Sequence, residues 1–364
     1  MAEHSAAHYR ADTVGSYLRP DYLRKALDEN VHGSELRDVE DRAVREVLAM
    51  QDDVGLPVVT DGEFRRRLWY HTILAVADGF DPEGFDRVWT DDSGREVHHG
   101  SPVVVSPLLR KARQADVELD FTRRHTALPV KVTMPAPTNF LSYWTEGVSD
   151  RAYPNKQAFL DDLVALMNAD ARKLAAAGAA YLQIDAPKYT FFDDRRMYPD
   201  PDRADEQLAE LIRTDLRVFE GVSGVTTGVH ICRGNYRSMH SSSTPYERFA
   251  ETLFREARYD RLLLEYDDVR SGGFEPLRFV PDGVTAVLGL VTTKRPDLED
   301  TDELRRAIDD ASRYLPLERL ALSPQCGFAS TYEGNELGPD DQRRKLELVV
   351  RTAESVWGTT AHRV

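Results

Sequence analysis

Short apolar runs alternate with stretches of helical periodicity along nearly the whole chain, and this alternation limits the possible folds more than any other property of the sequence. The runs are Thr13-Val14-Gly15-Ser16, Leu56-Pro57-Val58-Val59-Thr60, Pro129-Val130-Lys131-Val132-Thr133-Met134, Tyr181-Leu182-Gln183-Ile184-Asp185, Gly224-Val225-Thr226-Thr227-Gly228-Val229, Arg261-Leu262-Leu263-Leu264, Gly289-Leu290-Val291 and Leu320-Ala321-Leu322-Ser323-Pro324. These eight strand candidates are mostly followed by a helix candidate, as at 34–53, where Leu36, Val39, Ala43, Val44, Val47 and Leu48 recur at helical spacing behind Ser34 as N-cap. Further helices are expected from Asp21, over 155–177, 204–221 and 245–257, and from Asp302 and Pro339. Eight βα units predict an α/β chain closed into a (β/α)8 TIM barrel. A doubly wound sheet is the alternative, but no Gly-x-Gly-x-x-Gly turn supports it.

The rhythm breaks between about residues 74 and 127. That segment carries a turn at Asp91-Asp92-Ser93-Gly94 and short strand candidates near Val103 and Val117, where Val117-Glu118-Leu119-Asp120-Phe121 alternates like a half-exposed strand. It reads as a hairpin inserted after the second strand of a single barrel domain spanning residues 1–364.

The 41% hydrophobic and 30% charged residues of this 364-residue chain can bury a substantial core. A formal charge of −15 disfavours nucleic acid or an anionic membrane as the main partner and points to a small molecule. Met1-Ala2-Glu3-His4-Ser5 lacks a signal-peptide pattern and no apolar run approaches the ~18 residues of a membrane span, so a cytoplasmic location is expected. Two cysteines give no disulfide framework.

In a TIM barrel, chemistry sits at the C-terminal ends of the strands. His230 and Cys232 end the fifth run and, two residues apart, face the same side of a strand. Glu265 ends the sixth run, Cys326 follows the eighth, and Ser16, Glu63 and Asp185 follow the first, second and fourth. One imidazole, two thiols and a carboxylate make a candidate zinc site, since thiolate and imidazole are ligands zinc prefers. Ligands spread over three strands, one an exchangeable carboxylate, fit a catalytic ion better than a structural one, and zinc with two thiolates is suited to activating a third thiol. Each residue also has a plain reading: buried inert cysteines, or carboxylates acting as helix caps and ion-pair partners.

Val14-Gly15-Ser16, Asp61-Gly62-Glu63, Gln183-Ile184-Asp185-Ala186-Pro187, His230-Ile231-Cys232, Leu264-Glu265 and Ser323-Pro324-Gln325-Cys326-Gly327 together resemble the catalytic domain of cobalamin-independent methionine synthase. They fall in that family's order from about residue 13 to 328, and the His-x-Cys, Glu, Cys series is the specific part. The resemblance implies a (β/α)8 barrel with zinc held by His230, Cys232, Glu265 and Cys326. It also implies a homocysteine ammonium group at Glu63 and Asp185, the homocysteine carboxylate at Ser16, and methyl transfer to the thiol from a donor such as methyltetrahydrofolate.

The chain departs from the full-length synthases in two ways. It has no room for their second, N-terminal barrel, and it reads Gly289-Leu290-Val291-Thr292-Thr293-Lys294 where the family carries a histidine that helps protonate the departing folate. His71 and His240 remain as other proton carriers, although a lone histidine in a polar stretch is usually just exposed. Three other readings stand beside methyl transfer. The first is a zinc-thiolate transferase of the epoxyalkane:coenzyme M type, with Lys188, Arg233 and Arg237 holding an anionic thiol. The others are a metal-free barrel decarboxylase of the uroporphyrinogen type and a non-catalytic zinc protein.

Overall fold

A computed structural model of the chain describes residues 8–90, 94–195 and 198–362. The N-terminal Met1-Ala2-Glu3-His4-Ser5 and the Asp91-Asp92-Ser93 part of the expected turn lie outside the described residues.

In chain order, β1 (His8–Tyr9) precedes α1 (Asp21–Asp28), α2 (Gly33–Asp53) and α3 (Thr72–Val76). The antiparallel hairpin of β2 (Ala77–Thr90) and β3 (Glu96–Arg110) follows, then α4 (Asp120–Arg124). Thereafter strand and helix alternate: β4 (Lys131–Pro135), α5 (Lys156–Ala176), β5 (Tyr181–Asp185), α6 (Ala204–Leu216), β6 (Thr226–Ile231), α7 (Ala250–Glu256) and β7 (Arg261–Glu265). The chain ends with β8 (Thr285–Val291), α8 (Thr301–Ala311), β9 (Leu320–Pro324), α9 (Pro339–Trp357) and β10 (Ala361–His362), which pairs with β1.

Strands β4 to β9 form one parallel sheet in sequential order. Every residue of β4, β5, β7, β8 and β9 is buried, as expected of parallel strands covered on both faces, and each buried Leu or Val side chain contributes roughly 1.5–3 kcal/mol. Three of the helices carry clear end signals. Asn155 caps α5 by accepting from the Ala158 N–H at 2.9 Å, Asp300 caps α8, and Gly358 stops α9 in the left-handed conformation at φ 72°.

The first two runs form no full strand; single parallel bridges join Ala11, just before the first run, to Leu322 on β9, and Val59 in the second run to Val130 before β4. They meet each other through Thr60 Oγ1, which donates to the Gly15 carbonyl at 2.6 Å, and through the Tyr17 N–H, which donates to the Gly62 carbonyl at 3.2 Å. The eight runs therefore follow one another around a ring. The two fall short of full strands because Gly15, Gly62 and Glu63 leave the extended conformation at φ 152°, 74° and 58°.

Two local expectations change. Helix α2 starts at Gly33 behind His32, so Ser34 lies inside the helix and is not its cap. Val117 is not on a strand: Ala115–Leu119 is a π-helical turn leading into α4, with Glu118 and Leu119 buried side by side. Adjacent buried residues break a period of two, and the cause is tertiary, since Glu118 is drawn inward by Arg66.

Candidate metal and substrate site

His230 lies near the end of β6 and Cys232 just beyond it, while Cys326 follows β9. One ligand atom from each falls within 4.8 Å of the others, and all three residues are buried. Neither ring nitrogen of His230 has a hydrogen-bond partner, and a buried polar group in that state is uncommon enough to need a cause. The two thiols are shifted in opposite directions. A hydrogen bond from Cys232 holds the Cys326 thiol well below its ordinary value against the effect of burial, with His230 assisting. The same hydrogen bond, with burial, pushes Cys232 well above its own. Burial alone would lower the His230 value, but the neighbouring Cys326, with Asp185 and Glu265, raises it. A buried imidazole without hydrogen bonds beside two cysteine sulfurs fits a soft cation such as zinc, whose preferred ligands are imidazole and thiolate.

Glu265 ends β7 beside this group but is not brought into it. Its Oε2 accepts from the Arg233 N–H at 2.7 Å, and its Oε1 accepts from Lys294 Nζ at 2.9 Å and from Arg270 at 3.5 Å. Lys294 also reaches Asp267 at 3.1 Å. Burial would raise the Glu265 value, yet Lys294 and Arg233 bring it below the usual carboxylate range.

Ser16, Glu63 and Asp185 line the same cavity of about 500 Å³ as His230, Cys232 and Cys326. Asp185 sits beside His230 because the two are register partners on β5 and β6. Its Oδ1 accepts from Gln183 Nε2 at 2.8 Å, and burial, with Glu63 opposing His230, pushes its value up to about 7. Glu63 holds a left-handed backbone that is costly for a residue with a side chain. Arg19 clamps that turn by donating to the Glu63 carbonyl at 2.9 Å, and Asp61 Oδ1 accepts the Glu63 N–H at 2.9 Å. On its side chain, Oε1 accepts from Thr133 Oγ1 at 2.6 Å while the buried Oε2 has no hydrogen-bond partner. Glycine is required nearby: a Cβ on Gly15 would lie 2.9 Å from Glu63 Oε1, and one on Gly327 would lie 2.0 Å from Ser16 Oγ.

The cavity is also lined by the rings of Trp69, Tyr70, His71, Tyr143, Phe191 and Tyr236. Trp69 and Tyr70 meet edge to face at 5.4 Å, as do Tyr70 and His71 at 5.2 Å. The expectation of an exposed His71 is thus corrected: burial, helped by Arg67, lowers its value to about 4, which leaves the imidazole neutral. The sequence reading passed over Lys294, Arg66 and the aromatic wall. The run Leu68-Trp69-Tyr70-His71, unusually aromatic beside the acidic loop, was the available signal for the last.

The profile of the cobalamin-independent synthase catalytic domain matches residues 10–354. The chain belongs to the cobalamin-independent methionine synthase catalytic-domain family. This is a family of methyltransferases, and its fold is the TIM barrel. Among curated proteins, the chain is 35% identical to the uncharacterised Bacillus subtilis protein YxjH, over 96% of this chain and 95% of that one. It is 25% identical to the methionine synthase of Pyrococcus abyssi, over 86% and 85%. Among solved structures, a Listeria monocytogenes protein described as a vitamin-B12-independent methionine synthase superposes with a TM-score of 0.72 at 26% identity, covering 97% of this chain and 99% of that one. The B12-independent methionine synthase of Shewanella sp. W3-18-1, solved with selenomethionine, shares the fold at a TM-score of 0.76 and 22% identity, covering 97% and 98%. Among the described residues, no helix is long and apolar enough to cross a membrane.

Proposed function

We propose that the protein is a zinc-dependent thiol methyltransferase that forms methionine from homocysteine, with a methyltetrahydrofolate as donor. The observation that carries this reading is the buried, partnerless imidazole of His230 facing Cys232 and Cys326 in a cavity that also holds Glu63 and Asp185. Zinc held by His230, Cys232 and Cys326 would keep a substrate thiol as thiolate at neutral pH, with Glu265 as the fourth ligand that the thiol replaces.

The chain's own residues do the rest. Glu63 Oε2, open and buried, accepts hydrogen bonds from the substrate ammonium together with Asp185, and Ser16 takes its carboxylate. Bringing a cation to Asp185 favours its ionised form, because the new charge offsets the burial that otherwise holds the proton on. The aromatic side chains of the cavity wall receive the methyl donor and exclude water around the reacting carbon. Homocysteine is favoured over a thiol bearing only an anionic tail because Arg233 is fully buried and committed to the Thr244 and Glu265 carbonyls, and Lys188 donates to the Thr138 and Asn139 carbonyls.

Metal analysis and a methionine-formation assay across candidate methyl donors test the reading. The expected result is about one zinc per chain and a rate falling at least ~1,000-fold in Cys326→Ser. Purified wild-type protein without zinc, or unimpaired turnover in Cys326→Ser, would overturn it.

A further inference from the structure

Arg66 is buried between two carboxylates that compete for it. Glu118 has the better geometry: Nε donates to its Oε1 at 2.7 Å and Nη2 to its Oε2 at 2.8 Å, a paired fork. The remaining guanidinium bonds go to Thr133, with Nη1 to Oγ1 at 3.1 Å and Nη2 to the carbonyl at 2.8 Å, and to the Trp69 carbonyl, from Nη1 at 3.5 Å. Gln114 Nε2 secures Glu118 from the other side, donating to its Oε2 at 2.9 Å and to the Thr133 carbonyl at 2.8 Å. Toward Glu63 the guanidinium stops short, with Nη1 3.5 Å from Oε2, and that oxygen makes no hydrogen bond.

This division of a single guanidinium decides what the cavity can hold. Were Arg66 to turn its fork to Glu63, the carboxylate would be neutralised bidentately and would offer a cationic substrate little. With the fork on Glu118, Glu63 lines the cavity together with Asp185 and its Oε2 is left without a hydrogen bond. Glu118 is itself outside the cavity wall and comes from the π-helical turn behind the inserted hairpin. The helical turn explains its reach, because on a strand Glu118 would face away from both of its neighbours.

Resting on the reading of Glu63 as the ammonium site, we propose that Glu118 is a specificity-determining positioning residue: by holding Arg66 it keeps Glu63 Oε2 open, and so makes the cavity select thiols that carry an ammonium group. It touches no substrate and acts only through Arg66.

The test compares kcat/KM for homocysteine and for 4-mercaptobutanoate, which keeps the thiol and carboxylate and lacks the amino group, in the zinc-loaded wild type, Glu118→Gln and Glu118→Ala. Both thiols are measured on one preparation, so the ratio does not depend on how much of a variant is folded. The wild type is expected to prefer homocysteine by about 100-fold or more, and the variants to lose about tenfold of that preference, mainly through a higher KM for homocysteine. A strong wild-type preference that both variants keep would overturn the role of Glu118 alone. A wild type that treats the two thiols alike would overturn the ammonium reading of Glu63 and this inference with it.

Discussion

Charged groups are buried at both ends of the barrel, and the two ends treat them in opposite ways. At the floor, Asp12 is shared between Lys131, whose Nζ donates to Oδ1 at 2.7 Å, and Arg261, whose Nε donates to Oδ2 at 3.2 Å. Arg261 also donates to the Tyr9 carbonyl at 2.7 Å, and Lys131 lies over the Tyr181 ring at 4.3 Å. One carboxylate serves two cations, and apart from the Tyr181 hydroxyl the cluster's groups find partners within it. At the mouth, both nitrogens of His230, Glu63 Oε2, Asp61 Oδ2 and Asp267 Oδ1 are buried without a hydrogen bond, with Glu63 Oε2 and Asp267 Oδ1 in longer ion-pair contact with Arg66 at 3.5 Å and Arg270 at 4.0 Å. Each such group costs roughly 1–3 kcal/mol, so the mouth is tolerated only because the rest of the barrel is stable. A charge cluster that closes on itself supports a fold; one that stays open awaits a ligand.

Breaking the floor should have the largest effect. Asp12→Ala leaves Lys131 and Arg261 buried without their carboxylate, and a loss of about 3–5 kcal/mol in urea unfolding is expected. Metal content per folded chain should stay as in the wild type. A loss under ~1 kcal/mol would mean that the floor is as dispensable as a surface pair, and the contrast would fail.

At the mouth the balance should reverse. On the proposed reading, Glu63→Gln would remove a charge-assisted hydrogen bond to the substrate ammonium and should lower kcat/KM for homocysteine by about 10- to 100-fold with unfolding stability unchanged or slightly higher. If this variant instead unfolds as readily as Asp12→Ala, Glu63 is carrying the fold and not the ligand.

The smallest effect concerns pH. Burial, with Glu118 adding to it, raises Asp61 to about 7, above its value in the unfolded chain. The folded protein therefore keeps a proton that the unfolded chain gives up, and the stability this contributes is fully present below about pH 4 and lost as pH rises towards about 7. Asp61→Asn should flatten that decline in thermal melts of the metal-free protein. An unchanged profile would show that Asp61 is already ionised in the folded state.

Much of the mouth was legible in the sequence because strand ends are. Runs such as Leu262-Leu263-Leu264 announce strands buried on both faces, and the polar residue that ends each run then falls at the barrel opening. This places His230, Cys232, Cys326, Asp185 and Glu63 around one cavity without knowledge of any contact. Glu265 shows where local pattern stops: its position at a strand end was readable, but its tie to Lys294 joins residues 29 apart with β8 between them. His71 looked like a surface histidine until Tyr70 and the cavity wall enclosed it.

By itself, then, the sequence determined the order of βα units, the acidic character of the cavity and the set of groups at its mouth, since these follow from residue type and local period. Only the tertiary structure decided which of those groups are satisfied. Whether Arg66 spends its charge on Glu118 or Glu63 depends on partners 52 and three residues away. No local pattern carries that information, because a hydrogen bond is fixed by direction and distance in space and both are set only when the chain closes.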